Sequence, residues 1–209
     1  NLSRWYNQFF KRAFDLSVAT VGTIAISPIL LGIAIAIKAS SPGPAFYAHR
    51  RIGKDGIYFN CYKFRSMVVD SDRRLQEYLR ANPEAAKEWE ETHKLKHDPR
   101  VTKIGAFLRK TSLDELPQLF NVIRGQMSLV GPRPIVDEEV IKYDVFFSDY
   151  TMVRPGMTGL WQTSGRSDTS YSRRVRLDAW YVRNWNIWLD ISLLVKTVRV
   201  VLSSHSGAY

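Results

Sequence analysis

The sequence predicts an α+β fold: a mostly helical, membrane-associated domain with a re-entrant broken helix, a small β-hairpin and C-terminal interfacial amphipathic helices. Three observations predict it. Residues 16–37 form a run of 22 positions without a charge, about the length that crosses a bilayer core. Two β-rich runs flank Gly53-Lys54-Asp55-Gly56, a hairpin signal. Most of the remainder alternates apolar and polar residues at helical spacing, and its end is rich in Trp, Tyr and Arg.

Composition narrows the class. At 209 residues, 45% hydrophobic and 24% charged, the chain is long and apolar enough for one ordinary domain and is not disordered. A mean hydropathy of −0.22 excludes a multi-span membrane protein but admits one embedded segment. Thirty basic against 20 acidic residues give +10, a surface that expects phosphates. The excess is +6 over residues 1–70 (nine basic, three acidic), +3 over 71–110 (ten, seven) and +1 over 111–209 (eleven, ten), so it adjoins the apolar run. One cysteine, Cys61, excludes an intramolecular disulfide and a Cys-rich zinc site.

Taken in order, residues 1–15 mix aromatics with Arg and Lys and read as an interfacial amphipathic lead-in. Residues 16–37 suit a membrane helix. A signal peptide fits poorly, because no small-residue cleavage site follows, and a core helix hydrophobic on every face is rare in so small a domain. Pro28 lies in the middle, has no N–H and clashes with the carbonyl of Ile24. The neighbouring Ser27 hydroxyl can serve that carbonyl, and a sharp kink is expected at Ser27-Pro28. Basic residues stand at both ends: Lys11 and Arg12 before, Lys38, His49, Arg50, Arg51 and Lys54 after. A single span concentrates them on one side. A helix that enters, turns and leaves on the same face explains both features; a plain single-pass anchor is the simpler alternative.

Residues 38–209 are then expected to form a cytosol-facing domain with interfacial helices. Ser40-Ser41-Pro42-Gly43-Pro44 ends the apolar helix, and residues 45–51 and 57–65 are the hairpin strands. Helices are expected at 70–80, 84–94, 102–110 and 113–124, the last ended by Gly125. Residues 127–130 read as a short strand, 131–134 as a rigid turn, 137–150 as a helix and 153–168 as a loop. Residues 172–184 and 185–202 read as two amphipathic helices whose junction gathers Trp180, Tyr181, Trp185 and Trp188 at a membrane–water boundary. Asp190, Lys196 and Arg199 should keep the last helix on a surface.

The densest chemistry is Ser112-Leu113-Asp114-Glu115, with Arg109 and Lys110 before it. Ser112-x-x-Glu115 matches a capping box, and acids in a first turn complement the helix dipole. Equally, a carboxylate near Arg and Lys at a helix end stays ionised and suits a nucleophile toward phosphorus or a Mg²⁺ ligand. Lys63 and Arg65 alternate onto one strand face, fit for a diphosphate or simply a basic edge. Pro132 and Pro134 freeze Arg133, as a phosphate clamp or an ordinary turn. Arg166, Asp168 and Asp178 are weaker candidates, and His93 and His97 read as solvated helix face. The chain has no P-loop, GxGxxG or GxSxG motif, and no nucleic-acid-binding motif, so no nucleic-acid partner is expected.

These motifs occur together and in order: Ser27-Pro28, Ser41-Pro42-Gly43-Pro44, Lys63-Phe64-Arg65-Ser66-Met67, residues 112–122, residues 127–134 and Arg154-Pro155-Gly156-Met157-Thr158-Gly159. The combination resembles the bacterial sugar transferase family, the monotopic phosphoglycosyl transferases, over about residues 8–209. The resemblance implies transfer of a sugar 1-phosphate from a UDP-sugar to undecaprenyl phosphate with release of UMP, using Mg²⁺. It implies that Asp114 attacks the β-phosphorus and binds metal, and that Glu115 assists. It implies that Lys63, Arg65, Arg109, Arg133 and Arg166 lie around phosphates, with Pro132, Pro134 and Asp178 in support. The implied setting is the cytoplasmic face of a bacterial inner membrane, among its lipids, at the first membrane step of O-antigen, capsule or exopolysaccharide assembly. Residues 159–166 and the ending 205–209 are most similar to hexose-specific members, galactose ahead of glucose. Those members carry extra N-terminal regions, and a start at Asn1 fits a catalytic portion of such a protein. A homodimer is left open. A non-catalytic scaffold binding anionic lipid is the rival reading.

Overall fold

The computed structural model describes residues 1–92, 95–164 and 169–202; Arg166, Asp168, His93 and the ending 205–209 lie outside them. It is α+β and mostly helical. Helix α1 (Trp5–Ser40) merges the lead-in and the apolar run into 36 residues and continues helically past Pro28. The reason is local. Ser27 Oγ donates to the Ile24 carbonyl at 2.8 Å, replacing the backbone bond that Pro28 cannot make. One side of α1 faces outward with Val21, Ile24, Ile29, Leu31 and Ile35. The other side touches the domain near both ends. Ala19 packs with Val122, Met127, Val130 and Leu193. Leu30 and Ile37 pack with Ala45, Phe64 and Leu108.

Strands β1 (Phe46–Ile52) and β2 (Tyr58–Phe64) form the expected antiparallel hairpin, with Tyr47 opposite Lys63 and His49 opposite Cys61. Helices α2 (Ser71–Ala81) and α3 (Pro83–Thr92) leave the hairpin and return to it. Their ends are tied where Met67 bridges Val101 and the Val68 N–H donates to the Arg100 carbonyl at 2.9 Å. Helix α4 (Lys103–Thr111) starts at Thr102, whose hydroxyl accepts the Gly105 N–H.

Three expectations are corrected here. The helix expected over 113–124 is a 3₁₀ turn (Leu113–Glu115) followed by α5 (Gln118–Ile123), because Pro117 cannot continue the hydrogen-bond ladder. The helix expected over 137–150 is α6 (Asp137–Tyr143), a 3₁₀ turn (Asp144–Phe146) and α7 (Phe147–Thr151), divided at Asp144 with φ 45°. The loop expected over 153–168 contains β4 (Gly156–Thr158), paired in parallel with β3 (Ser128–Val130).

Helices α8 (Tyr171–Asn184) and α9 (Ile187–Leu202) close the chain. Their aromatic junction divides: Trp180 and Trp188 are exposed, while Tyr181 and Trp185 are core. Asp190 is not a surface charge either. It is fully buried and accepts from Lys11 Nζ (2.6 Å), Tyr181 OH (2.6 Å) and Trp185 Nε1 (3.0 Å). Asp15 is buried beside it and accepts from Ser128 Oγ at 2.7 Å. The start of α1 is thus pinned to α9 by a charged network; removing one partner of such a pair costs about 3–5 kcal/mol.

Candidate active site

The end of β2, the start of β1 and the turn after α4 enclose a cavity of about 660 Å³. Its lining includes Lys63, Arg65, Ser66, Arg109, Asp114 and Glu115, so five of the predicted site residues meet here. The approach of α4 to β2 is very close. A Cβ on Gly105 would stand 1.9 Å from the Ser66 carbonyl oxygen, so only glycine fits. That contact lets Arg109 Nε donate to Ser66 Oγ at 2.9 Å.

Helix α4 then ends at Ser112, which takes a left-handed conformation (φ 57°, ψ 16°) that is costly for a residue with a Cβ. This bend swings the 3₁₀ turn and its two acids back over β2. The capping box does not form. Ser112 makes no side-chain cap bond, and Glu115 reaches across to Lys63, with Oε1 2.6 Å from Nζ.

The two acids therefore differ. Glu115 is engaged by Lys63. Asp114 is half-buried and takes no hydrogen bond from another side chain among the described residues. Burial raises the Asp114 carboxyl above its ordinary range; Lys63 and Arg109 pull it back and Glu115 adds to the rise. The sequence reading expects cations to keep it low, and desolvation outweighs them. His49, which lines the same cavity, is lowered by burial and by Arg51 and Lys63.

Arg133 lies outside the lining of this cavity. Its guanidinium is 3.2 Å from Glu139, which also accepts the Val136 N–H at 3.1 Å and faces Arg51 at 3.8 Å. Pro132 and Pro134 are buried and fix this turn. Asp178 sits beneath it, fully buried, accepting from Tyr143 OH at 2.8 Å; burial pushes its carboxyl up to about 7. Ser27 and Pro28 belong to α1, well along the chain from any of these groups.

His49 and Arg51 line the cavity, and sequence reasoning did not single them out as site residues. The signal was available. Strand pairing across the Gly53–Gly56 turn puts odd-numbered residues of β1 and β2 on one face, so Lys63 predicts His49 and Arg51 beside it.

No cluster of three His, Cys, Asp or Glu residues occurs among the described residues, so a protein cage for a metal is absent there. Adjacent Asp114 and Glu115 in a cavity lined with cations still suit Mg²⁺, which takes one or two carboxylates and completes its shell with substrate phosphates and water.

Comparison with known proteins agrees with the motifs. The chain is 53% identical over 212 residues to the UDP-galactose-lipid carrier transferase of Erwinia amylovora, covering all of this chain and 43% of that one. It is 51% identical over 199 residues to the exopolysaccharide production protein ExoY of Sinorhizobium fredii, covering 95% of this chain and 88% of that one. It is 41% identical over 201 residues to the UDP-glucose:undecaprenyl-phosphate glucose-1-phosphate transferase of Escherichia coli K12, covering 92% and 40%. The chain thus spans less than half the length of the first and third. The bacterial sugar transferase profile matches residues 6–204, nearly the whole chain, and the chain belongs to that family.

Proposed function

We propose that this chain transfers a hexose 1-phosphate, galactose 1-phosphate in the first instance, from a UDP-sugar to undecaprenyl phosphate. The observation that carries the mechanism is the inequality of the acids: Asp114 open to the cavity, Glu115 held by Lys63. An Asp114 carboxylate oxygen attacks the β-phosphorus of the UDP-sugar, the bond to the UMP oxygen breaks, and UMP leaves. The sugar phosphate then stands on Asp114 as an acyl phosphate. A phosphate oxygen of the lipid carrier attacks the same phosphorus, Asp114 departs as carboxylate, and a polyprenyl diphospho-sugar forms. Lys63 and Arg109 hold the diphosphate oxygens and stabilise charge that develops on them. Glu115, tethered to Lys63, keeps that ammonium aimed at the phosphorus. Mg²⁺, held by Asp114 with Glu115 beside it, would supply further charge neutralisation.

Membrane association supports the second substrate. The outer face of α1 is apolar, and its two ends rest on one domain, consistent with entry and exit on the cytoplasmic side of a bacterial inner membrane. Galactose rests on the name of the Erwinia relative, glucose on that of the less similar E. coli one. The name of the ExoY relative, an exopolysaccharide production protein, supports a product destined for exopolysaccharide assembly.

The test is UMP release by detergent-solubilised protein with undecaprenyl phosphate and Mg²⁺, with UDP-galactose and UDP-glucose in parallel. Release is expected with UDP-galactose, and Asp114→Asn should lower it by at least about 10⁴-fold, as loss of a nucleophile does. Unchanged membrane binding with no release from any UDP-sugar would favour the lipid-binding scaffold instead.

A further inference from the structure

We propose that Arg65 is a positioning residue that fixes the end of the membrane helix to the catalytic strand, and that it serves the lipid step rather than the nucleotide step. The inference rests on the transferase reading above.

Arg65 is only 7% exposed although it borders the cavity. Its guanidinium is bonded to the segment that follows α1. Nη1 donates to the Pro42 carbonyl at 2.7 Å, and Nη2 donates to the Ser41 carbonyl and to Ser41 Oγ, each at 2.8 Å. Its own backbone N–H donates to the Ala45 carbonyl at 2.8 Å. Nε is buried with no partner among the described residues. These are the first two carbonyls after α1, and a cation at a helix C-terminus complements the helix dipole.

The connection is tight. Gly43 has φ +114°, and a Cβ there would lie 2.2 Å from Arg65 Nη1. Two residues earlier, within β2, Lys63 grips Glu115. The end of β2 and the residue that follows it thus hold the membrane-helix exit with one side chain and Glu115 with another. The separation between α1, where a polyprenyl chain must lie, and Asp114, where its phosphate must arrive, is set by this strand. A misplacement of about 1 Å costs a transfer step on the order of 10²-fold.

The experiment compares the unaltered chain with Arg65→Met, Arg65→Lys and Gly43→Ala. Three readouts are taken: the UMP burst from UDP-galactose without acceptor, the KM for undecaprenyl phosphate in full turnover, and hydrogen exchange over residues 38–46. Arg65→Met should lower full turnover at least about ten-fold more than it lowers the burst, raise the acceptor KM, and speed exchange over 38–46. Gly43→Ala, which displaces the guanidinium without removing it, should do the same; Arg65→Lys should recover part of the loss. If Arg65→Met abolishes the burst as fully as turnover, Arg65 binds the nucleotide diphosphate and the proposal is overturned. Unchanged exchange over 38–46 overturns it as well. If the unaltered chain gives no UMP, the transferase reading fails and the exchange data alone decide the strut. If Arg65→Met does not fold, Gly43→Ala and Arg65→Lys carry the same three comparisons.

Discussion

Asp178 shows how a single buried acid can be read as a thermodynamic statement. Its carboxyl is pushed from 3.8 to about 7 chiefly by burial, with Tyr143 OH and the nearby Arg133 amide offsetting only part. A folded-state value above the unfolded one means that the folded chain binds the proton more tightly. The contribution of this one group to stability is therefore full below about pH 4, falls as pH rises from there to about 7, and is level above. Three units correspond to about 4 kcal/mol. Asp178→Asn keeps an acceptor for Tyr143 and removes the charge. It is expected to raise the unfolding free energy at pH 8 and to change it little at pH 4; urea titrations at both values check this, and an equal effect at both would refute the burial argument. At this scale the sequence was informative about identity and silent about partners. Asp114 and Glu115 stand out as adjacent acids, but what separates their roles is Lys63, 52 positions earlier. Arg65 likewise is visible as a cation beside Lys63, while its partners are Ser41 and Pro42, 24 and 23 positions back.

Among the elements, α1 carries the clearest link from covalent structure to hydrogen bonding. Pro28 removes the donor that would serve the Ile24 carbonyl, Ile24 is exposed on the apolar face, and Ser27 Oγ fills the gap at 2.8 Å. In lipid no water replaces that bond. Ser27→Ala is expected to destabilise the helix by about 1–3 kcal/mol, the cost of an unserved buried carbonyl. In a Pro28→Ala background the new N–H bonds to Ile24, and the same Ser27→Ala change should cost close to nothing. Unfolding of the four variants in detergent gives the cycle; additive effects would show that Ser27 does not serve this carbonyl. Element limits were legible where local chemistry sets them: the hairpin from Gly53–Gly56, α4 from its Thr102 cap, α2 from its amphipathic spacing. They were not legible where distant pairing does. Strand β4 has three residues and exists because it lies beside β3, 28 positions earlier, a signal that no local period contains. Asp190 reads as a surface charge on α9 for the same reason, since Lys11 lies 179 positions away.

For the whole molecule the question is which side of a membrane each end of α1 occupies. A straight helix of 36 residues is about 54 Å long, more than enough to cross. Length alone therefore favours a span. Packing argues the other way. Lys11 and Asp15 at one end are buried against β3 and α9, and Leu30 and Ile37 toward the other are buried against Phe64 and Leu108. A helix that crossed would have to leave one of these contacts, and leaving the first exposes the Lys11–Asp190 pair to lipid or strips it apart. With both contacts kept, residues before α1 and residues of the domain lie on one face, and the apolar strip of Val21, Ile24, Ile29, Leu31 and Ile35 meets the hydrocarbon. Ser3→Cys and Asn82→Cys are expected to react with an impermeant maleimide from the same side of sealed vesicles, both protected or both labelled as the vesicles are inverted. The native Cys61 gives little background, because it is buried and its thiol is pushed up to about 11. Labelling of the two positions from opposite sides would mean that α1 crosses and that the Lys11–Asp190 pin is open in the membrane. The same result would remove the geometric basis of the proposed reaction, in which a membrane-borne phosphate and a nucleotide sugar meet at the cavity that Asp114 lines.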